Sequence, residues 1–173
     1  MPTLDELAAE IAALRERVER SEASLAIHAL KARYARLVDE RYVRGAVAPA
    51  ELLAARAEAI AALFTEDGVW DGGPALGVAR GRSEIAARMR APTLSFSWHF
   101  FVKPQIEVQA ADRARARWDI LAPCTTVDGT PSWLVGYEDD EYARVAGEWL
   151  HRRMKLTAVF MAPHARGWTT ILR

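Results

Sequence analysis

Ser97-Trp98-His99-Phe100-Phe101-Val102-Lys103-Pro104-Gln105-Ile106-Glu107-Val108 is where the chain changes character. The segment is rich in aromatic and β-branched residues and predicts a β-strand over Trp98–Val108. Three further strand patterns follow it, Ala114–Leu121, Trp133–Tyr142 and Glu148–Met161. Asp112-Arg113 and Ala146-Gly147 supply tight connections, and Pro123, Asp128-Gly129 and Pro131 mark Ala122–Ser132 as a loop. Consecutive strands with short links read as an antiparallel meander. The segment also carries His99, a titratable ring in an apolar neighbourhood, whose ordinary pKa of about 6.5 suits proton exchange near neutrality.

Upstream of this strand the periodicity is helical. Leu4, Leu7, Ile11, Leu14, Val18 and Leu25 recur at alternating steps of three and four, with Ser21 interrupting. Residues 1–22 are therefore read as an amphipathic helical extension that either oligomerises or packs on its own domain, which spans 23–173. The helical pattern continues from Leu25 to Arg41, with Ile27, Leu30, Tyr34, Leu37 and Val38 as its apolar stripe. Asp39 comes at its end, where a carboxylate opposes the helix macrodipole and calls for a partner; Arg36 and Arg41 are the nearest in sequence. Ala50–Phe64 predicts a second helix and Val69–Asp71 a short strand. Ser83–Arg90 predicts a third helix with Ser83 as its N-cap. Helices first and strands later give an α+β class, with the helices on one face of a curved sheet.

A chain of 173 residues fits one domain, and 51% hydrophobic with 27% charged residues argues against disorder. A formal net charge of zero favours neither nucleic acid nor an anionic membrane as partner. No apolar run approaches the roughly 20 residues of a membrane span. Asp5, Glu6 and Glu10 stand where a secretory signal is basic and then apolar. A soluble cytoplasmic protein is expected. The single Cys124 allows no internal disulfide, and His28, His99, His151 and His164 lack metal-ligand spacing, so neither metal nor cofactor is expected. Cys124 has no basic neighbour in sequence and does not read as a nucleophile.

The helix Ala26-Ile-His-Ala-Leu-Lys-Ala-Arg-Tyr34-Ala-Arg-Leu-Val-Asp39 resembles the opening helix of SnoaL-like proteins in the nuclear transport factor 2-like (NTF2-like) superfamily. So do Leu63-Phe64-Thr65-Glu66-Asp67-Gly68-Val69-Trp70, the helix start Gly81-Arg82-Ser83-Glu84-Ile85 and the hairpin Tyr142…Gly147-Glu148-Trp149. The resemblance covers most of residues 25–160. It implies a cone, a strongly curved antiparallel sheet wrapped around the helices with a pocket at the wide end. Within that superfamily the chain is most similar to the lyase group of scytalone dehydratase, bile-acid 7α-dehydratase and hexachlorocyclohexane dehydrochlorinase. Asp39 and His99 match that group's helix aspartate and strand histidine, and Tyr34 falls where relatives keep a functional Tyr or Lys. Ala122 stands near the position of a strand aspartate in the bile-acid enzyme. Arg152 and Arg153 lie close to, but offset from, an arginine expected late in the final strand.

The chemistry follows from these residue types. A carboxylate on one imidazole nitrogen fixes the tautomer and stabilises the imidazolium formed at the other, so Asp39 and His99 make a general base. Tyr34 can donate a hydrogen bond to a leaving or enolate-like oxygen. Strand alternation admits only one of Arg152 and Arg153 to the pocket, and Arg152 is assigned there to hold a substrate anion. Trp70, Trp133 and Phe101 are expected to line the cone and favour a flat hydrophobic ligand. His28 reads as solvated, His151 as equally compatible with an external position, and His164 as part of a C-terminal tail. The implied function is a cofactor-independent lyase that eliminates water, or a small fragment such as formaldehyde, from a hydrophobic aromatic, oxygenated substrate. The alternatives are a polyketide cyclase or ketosteroid isomerase type enzyme with Asp39 as the base, and a non-catalytic binding or dioxygenase-small-subunit-like protein. A dimer or trimer of the chain is expected, with no nucleic acid or membrane partner.

Overall fold

Thr3 opens the first helix with a capping box: its hydroxyl accepts from the Glu6 N–H, and the Glu6 carboxylate accepts from the Thr3 N–H. In the computed structural model, which describes residues 1–165, this helix α1 runs unbroken over Leu4–Asp39. Only its second half is packed. Ala23, Ile27, Leu30, Lys31, Tyr34, Val38 and Asp39 are buried, whereas every residue from Leu4 to Glu22 is exposed. Arg20 gives residues 4–22 a side-chain hydrogen bond to the domain, to the Val108 carbonyl at 3.4 Å, and none of them is buried.

A short hairpin, β1 (Tyr42–Val43) and β2 (Ala46–Val47), leads to α2 (Ala50–Ala61). Then come β3 (Phe64–Asp71), the single turn α3 (Gly73–Leu76), β4 (Val78–Arg80) and α4 (Gly81–Arg90). α4 begins two residues before the expected Ser83 cap; the Glu84 carboxylate instead accepts from the Arg80 N–H at 2.8 Å. The remaining strands are β5 (Leu94–Ser97), β6 (Phe100–Ala110), β7 (Arg113–Thr126), β8 (Pro131–Val145) and β9 (Glu148–Pro163). Among the described residues they join β3 and β4 in one seven-stranded sheet in the order β4-β3-β9-β8-β7-β5, with β6 also on β7. β6 to β9 make the expected antiparallel meander. β3 joins β9 in parallel, which the sequence reading did not anticipate, and the segment expected as the loop Ala122–Ser132 is mostly strand.

The sheet curls around α1. Ile27, Leu30, Tyr34 and Val38 of that helix share one core with Phe64, Trp70, Ile85, Met89, Trp118, Trp149 and Met154. Gly136 lets β8 approach β9 at a register shift, where a Cβ would lie 2.4 Å from the Thr157 carbonyl oxygen.

The strand expected over Trp98–Val108 is broken at its most interesting point. β5 and β6 lie end to end along one edge of β7, with Ser97 opposite Cys124 and Phe100 opposite Leu121. Trp98 and His99 fall between them, outside regular strand. Pro104 is tolerated within β6 because that strand is an edge, where a missing N–H breaks no second ladder.

Candidate active site

The break in the edge strand frees the backbone N–H of His99 from the ladder. Asp39, the last residue of α1, takes it, accepting at 3.1 Å on Oδ1 and 3.3 Å on Oδ2. The same Oδ1 lies 2.7 Å from His99 Nδ1. One carboxylate thus holds both the main chain and the ring of His99. Asp39 is buried and makes no ion pair with Arg36 or Arg41, the partners its sequence position suggested. Its opposition to the helix dipole is offset by these charge-assisted bonds. With Nδ1 engaged as the donor, Nε2 is the nitrogen free to accept a proton, and it has no protein partner among the described residues.

His99 lines a cavity of about 70 Å³ that it shares with Tyr34, Trp70, Ser97, Cys124 and Glu138. Tyr34 is buried, and its hydroxyl accepts from Trp70 Nε1 at 3.0 Å. Its own proton has no acceptor among the described residues. Burial and the neighbouring Glu138 carboxylate push the phenol well above its ordinary range, so it remains a donor. Ser97 is 1% exposed and its Oγ has no partner among the described residues. Cys124 faces the cavity from β7, and burial raises its thiol to about 11, which leaves it neutral and unreactive.

The other expected residues separate into two groups. Trp70 lines the cavity; Phe101 does not, but its ring lies nearly parallel to that of His99 at 6.1 Å. Trp133 and Arg152 are not in the site. Leu134, not Trp133, faces the cavity, and Trp133 Nε1 donates to the exposed His164 Nδ1 at 3.0 Å on the other side of the sheet. Arg152 is the extra residue of a bulge: Glu141 pairs with Arg153 and Tyr142 with His151. The bulge turns Arg152 and Arg153 both outward and His151 and Met154 inward, so strand alternation misassigned them. His151, compatible in the sequence with an external position, is wholly buried. His28 is exposed, with its ring edge-on to Trp118 at 5.1 Å.

Sequence reasoning missed a charged group beneath the cavity. Lys31 Nζ donates to Glu138 Oε2 and, at 2.8 Å, to Asp140 Oδ2, with all three residues buried. Tyr142 OH donates to Asp140 at 2.7 Å and accepts from Trp118 Nε1 at 3.1 Å. Glu138 is therefore an ion-paired carboxylate facing the same cavity as His99, from the strand beside the alkyl wall of Ala122. Alternation across Glu138-Asp139-Asp140 held the signal, since Glu138 and Asp140 point in and Asp139 pairs outside with Arg117. Arg41 and Arg88 also line the cavity. Arg41 donates to the carbonyls of Val38 and Met89, and Arg88 to those of Leu76 and Ala91. No group of three or more His, Cys, Asp or Glu side chains among the described residues is placed to hold a metal ion.

The SnoaL-like domain profile matches residues 19–155, well over half of the chain. The chain belongs to the SnoaL-like domain family. Its fold is similar to that of a type 3 hexachlorocyclohexane dehydrochlorinase from Novosphingobium barchaimii, at TM-score 0.72 and 18% identity over 91% of this chain and 99% of that one. A candidate scytalone dehydratase from Novosphingobium aromaticivorans matches at TM-score 0.69 and 20% identity, covering 86% and 91%. An NTF2-like protein with a cystatin-like fold from the same species matches at 0.61 and 27%, covering 92% of each chain. At such identities these likenesses establish the SnoaL-like, NTF2-like cone. No match is found among the curated proteins. Among the described residues no helix is long and apolar enough to cross a membrane.

Proposed function

We propose that this SnoaL-like protein is a cofactor-independent lyase in which His99 Nε2, oriented by Asp39, takes a proton from a hydrophobic, oxygenated, aromatic substrate. The observation that carries the proposal is the double attachment of His99 to one buried carboxylate. It fixes the tautomer, the ring plane and the backbone together, and leaves a single basic nitrogen at the cavity. In a dehydration the base removes a carbon-bound proton, the C–H electron pair becomes a C=C bond, and the C–O bond breaks as the oxygen is protonated. Tyr34 O–H is the donor for that oxygen. Release of a small aldehyde such as formaldehyde uses the same base on a hydroxyl proton. The C–O bond becomes C=O, and the C–C electron pair passes to the retained fragment, which takes the proton back from His99 Nε2.

Ser97 Oγ is a ready contact for a substrate oxygen, because a buried hydroxyl without a partner is costly until something binds it. Arg41 and Arg88 replace Arg152 as the cations available to a phenolate or carboxylate. A cavity of about 70 Å³ is small beside the range of about 300–1,000 Å³ for drug-sized ligands. An aromatic substrate needs more space than this, and the half-buried Leu76, Leu94, Leu134 and Leu156 of the lining are the apolar side chains it would displace. The isomerase-type reading, with Asp39 as base, is disfavoured because both Asp39 oxygens are already bonded to His99.

The test is turnover of a panel of hydroxylated aromatic compounds, with products followed by mass. His99→Ala and Asp39→Asn are each expected to lower kcat/KM by about 10²–10⁴-fold, the usual contribution of a positioned base. Full turnover by both variants would show that the dyad is not the base.

A further inference from the structure

The exposed first half of α1 carries a stripe that the domain does not use. Leu4, Leu7, Ile11, Leu14, Val18 and Leu25 are 40–85% exposed. In heptad terms Leu4, Ile11, Val18 and Leu25 are a positions, and Leu7, Leu14 and Ser21 are d positions. We infer that residues 4–25 form a parallel two-stranded coiled coil with the same segment of a second copy of this chain.

Three observations select that occupant. The first is residue shape: β-branched Ile11 and Val18 at a with Leu7 and Leu14 at d favour two parallel strands. The second is charge. In a parallel pair each g position faces the e position five residues on in its partner. Glu10 then meets Arg15 of the second copy and Arg17 meets Glu22, and the same pairs recur reciprocally. The third is where the domain sits. α1 packs on its own sheet through Ala23, Ile27 and Leu30, roughly the opposite side of the helix from Leu25, which is 68% exposed. Two copies can join along the seam with their domains outside it.

Three heptads, about 33 Å of helix, are marginal as a free peptide. Here the helix is already nucleated by its packed second half and capped by Thr3 and Glu6. Its first half needs only the partner's apolar face.

Sedimentation equilibrium of the full chain tests the inference. The expected result is twice the chain mass, falling to one chain mass when Ile11→Lys and Leu14→Lys are combined, with the domain's near-ultraviolet circular dichroism unchanged. A monomeric parent, or a double variant that keeps its mass, overturns it. Orientation is read from charge exchange. Glu10→Arg and Arg15→Glu should each weaken association severalfold, and the two together should restore it to within about twofold. A neutral Arg15→Glu, or failure of the double exchange to rescue, excludes the parallel register. Ser21→Cys gives a second readout, since matched d positions oxidise to an inter-chain disulfide only in the parallel pair.

Discussion

Ser97 and His151 are both buried polar residues without hydrogen-bond partners among the described residues, and their positions give them opposite meanings. Ser97 faces the cavity, so its hydroxyl has a partner whenever a ligand oxygen is present. Ser97→Ala is expected to leave stability unchanged or raise it by up to about 1 kcal/mol, because an unmet desolvation cost disappears. It should raise KM several-fold, with the unfolding midpoint and steady-state kinetics measured on one preparation. His151 instead stacks on Phe64 with ring centroids 5.1 Å apart, away from the cavity. Burial first, and then the nearby Lys31 ammonium, hold its pKa well below 6.5. The folded protein therefore keeps this ring neutral, whereas the unfolded chain protonates it below about pH 6.5. Stability attributable to His151 is present above that value and lost as pH falls, by up to about 1.4 kcal/mol per unit. Thermal unfolding between pH 5 and 7.5 should show that loss in the parent and its absence in His151→Phe. Identical slopes would mean the ring protonates in the folded state. At this scale the contact of Asp39 with His99 followed from the resemblance to the SnoaL-like lyases, since residue type and spacing alone offered Asp39 the nearby Arg36 and Arg41. Arg152 and His151 were not legible, because one extra residue in β9 reverses which side chains face in, and bulges leave no reliable mark in a single sequence.

At the scale of elements, α1 and β8 are joined by charge inside the core. Lys31 is the shared cation of Glu138 and Asp140, and its own ammonium lies over the Phe101 ring at 4.1 Å from the centroid. Burial lowers the Lys31 pKa, but the two carboxylates more than offset it, and the net shift is upward. Its stabilisation is therefore present at neutral pH and lost only as pH rises through that raised value. Burial also pushes the Asp140 carboxyl up, against the pull of Lys31. Lys31→Met removes the common cation and strands two buried carboxylates, a change that costs about 3–5 kcal/mol in comparable sites. Urea unfolding at pH 7.5 should report that loss, and it should shrink toward pH 5 as Asp140 takes up a proton. A pH-independent loss would assign the effect to packing alone. The helices and the meander were readable from periodicity. This tie was only half marked: alternation puts Glu138 and Asp140 on one face of β8, but nothing in the sequence names Lys31 as the cation that meets them.

At the scale of the whole molecule, α1 belongs to two bodies. Residues 4–22 are exposed, while residues 23–39 form the spine around which the sheet closes. The three-and-four spacing of Leu4 to Val18 announced an apolar face and left open whether the domain or another chain would cover it, because periodicity specifies a face and not its neighbour. Denaturant sensitivity distinguishes the two cases, since the urea m-value scales with the surface exposed on unfolding. Removing residues 1–22 from a chain whose extension packs on its own domain would lower m in proportion to the lost interface. Here the domain core draws nothing from those residues: its most N-terminal member is Ala23. The m-value of the domain transition is therefore expected to stay within the roughly 10–15% uncertainty of such extrapolations, with the His99 cavity and its turnover intact. With the seam already opened by Ile11→Lys and Leu14→Lys, a larger fall in m on removing residues 1–22 would mean that the extension covers part of the domain in solution.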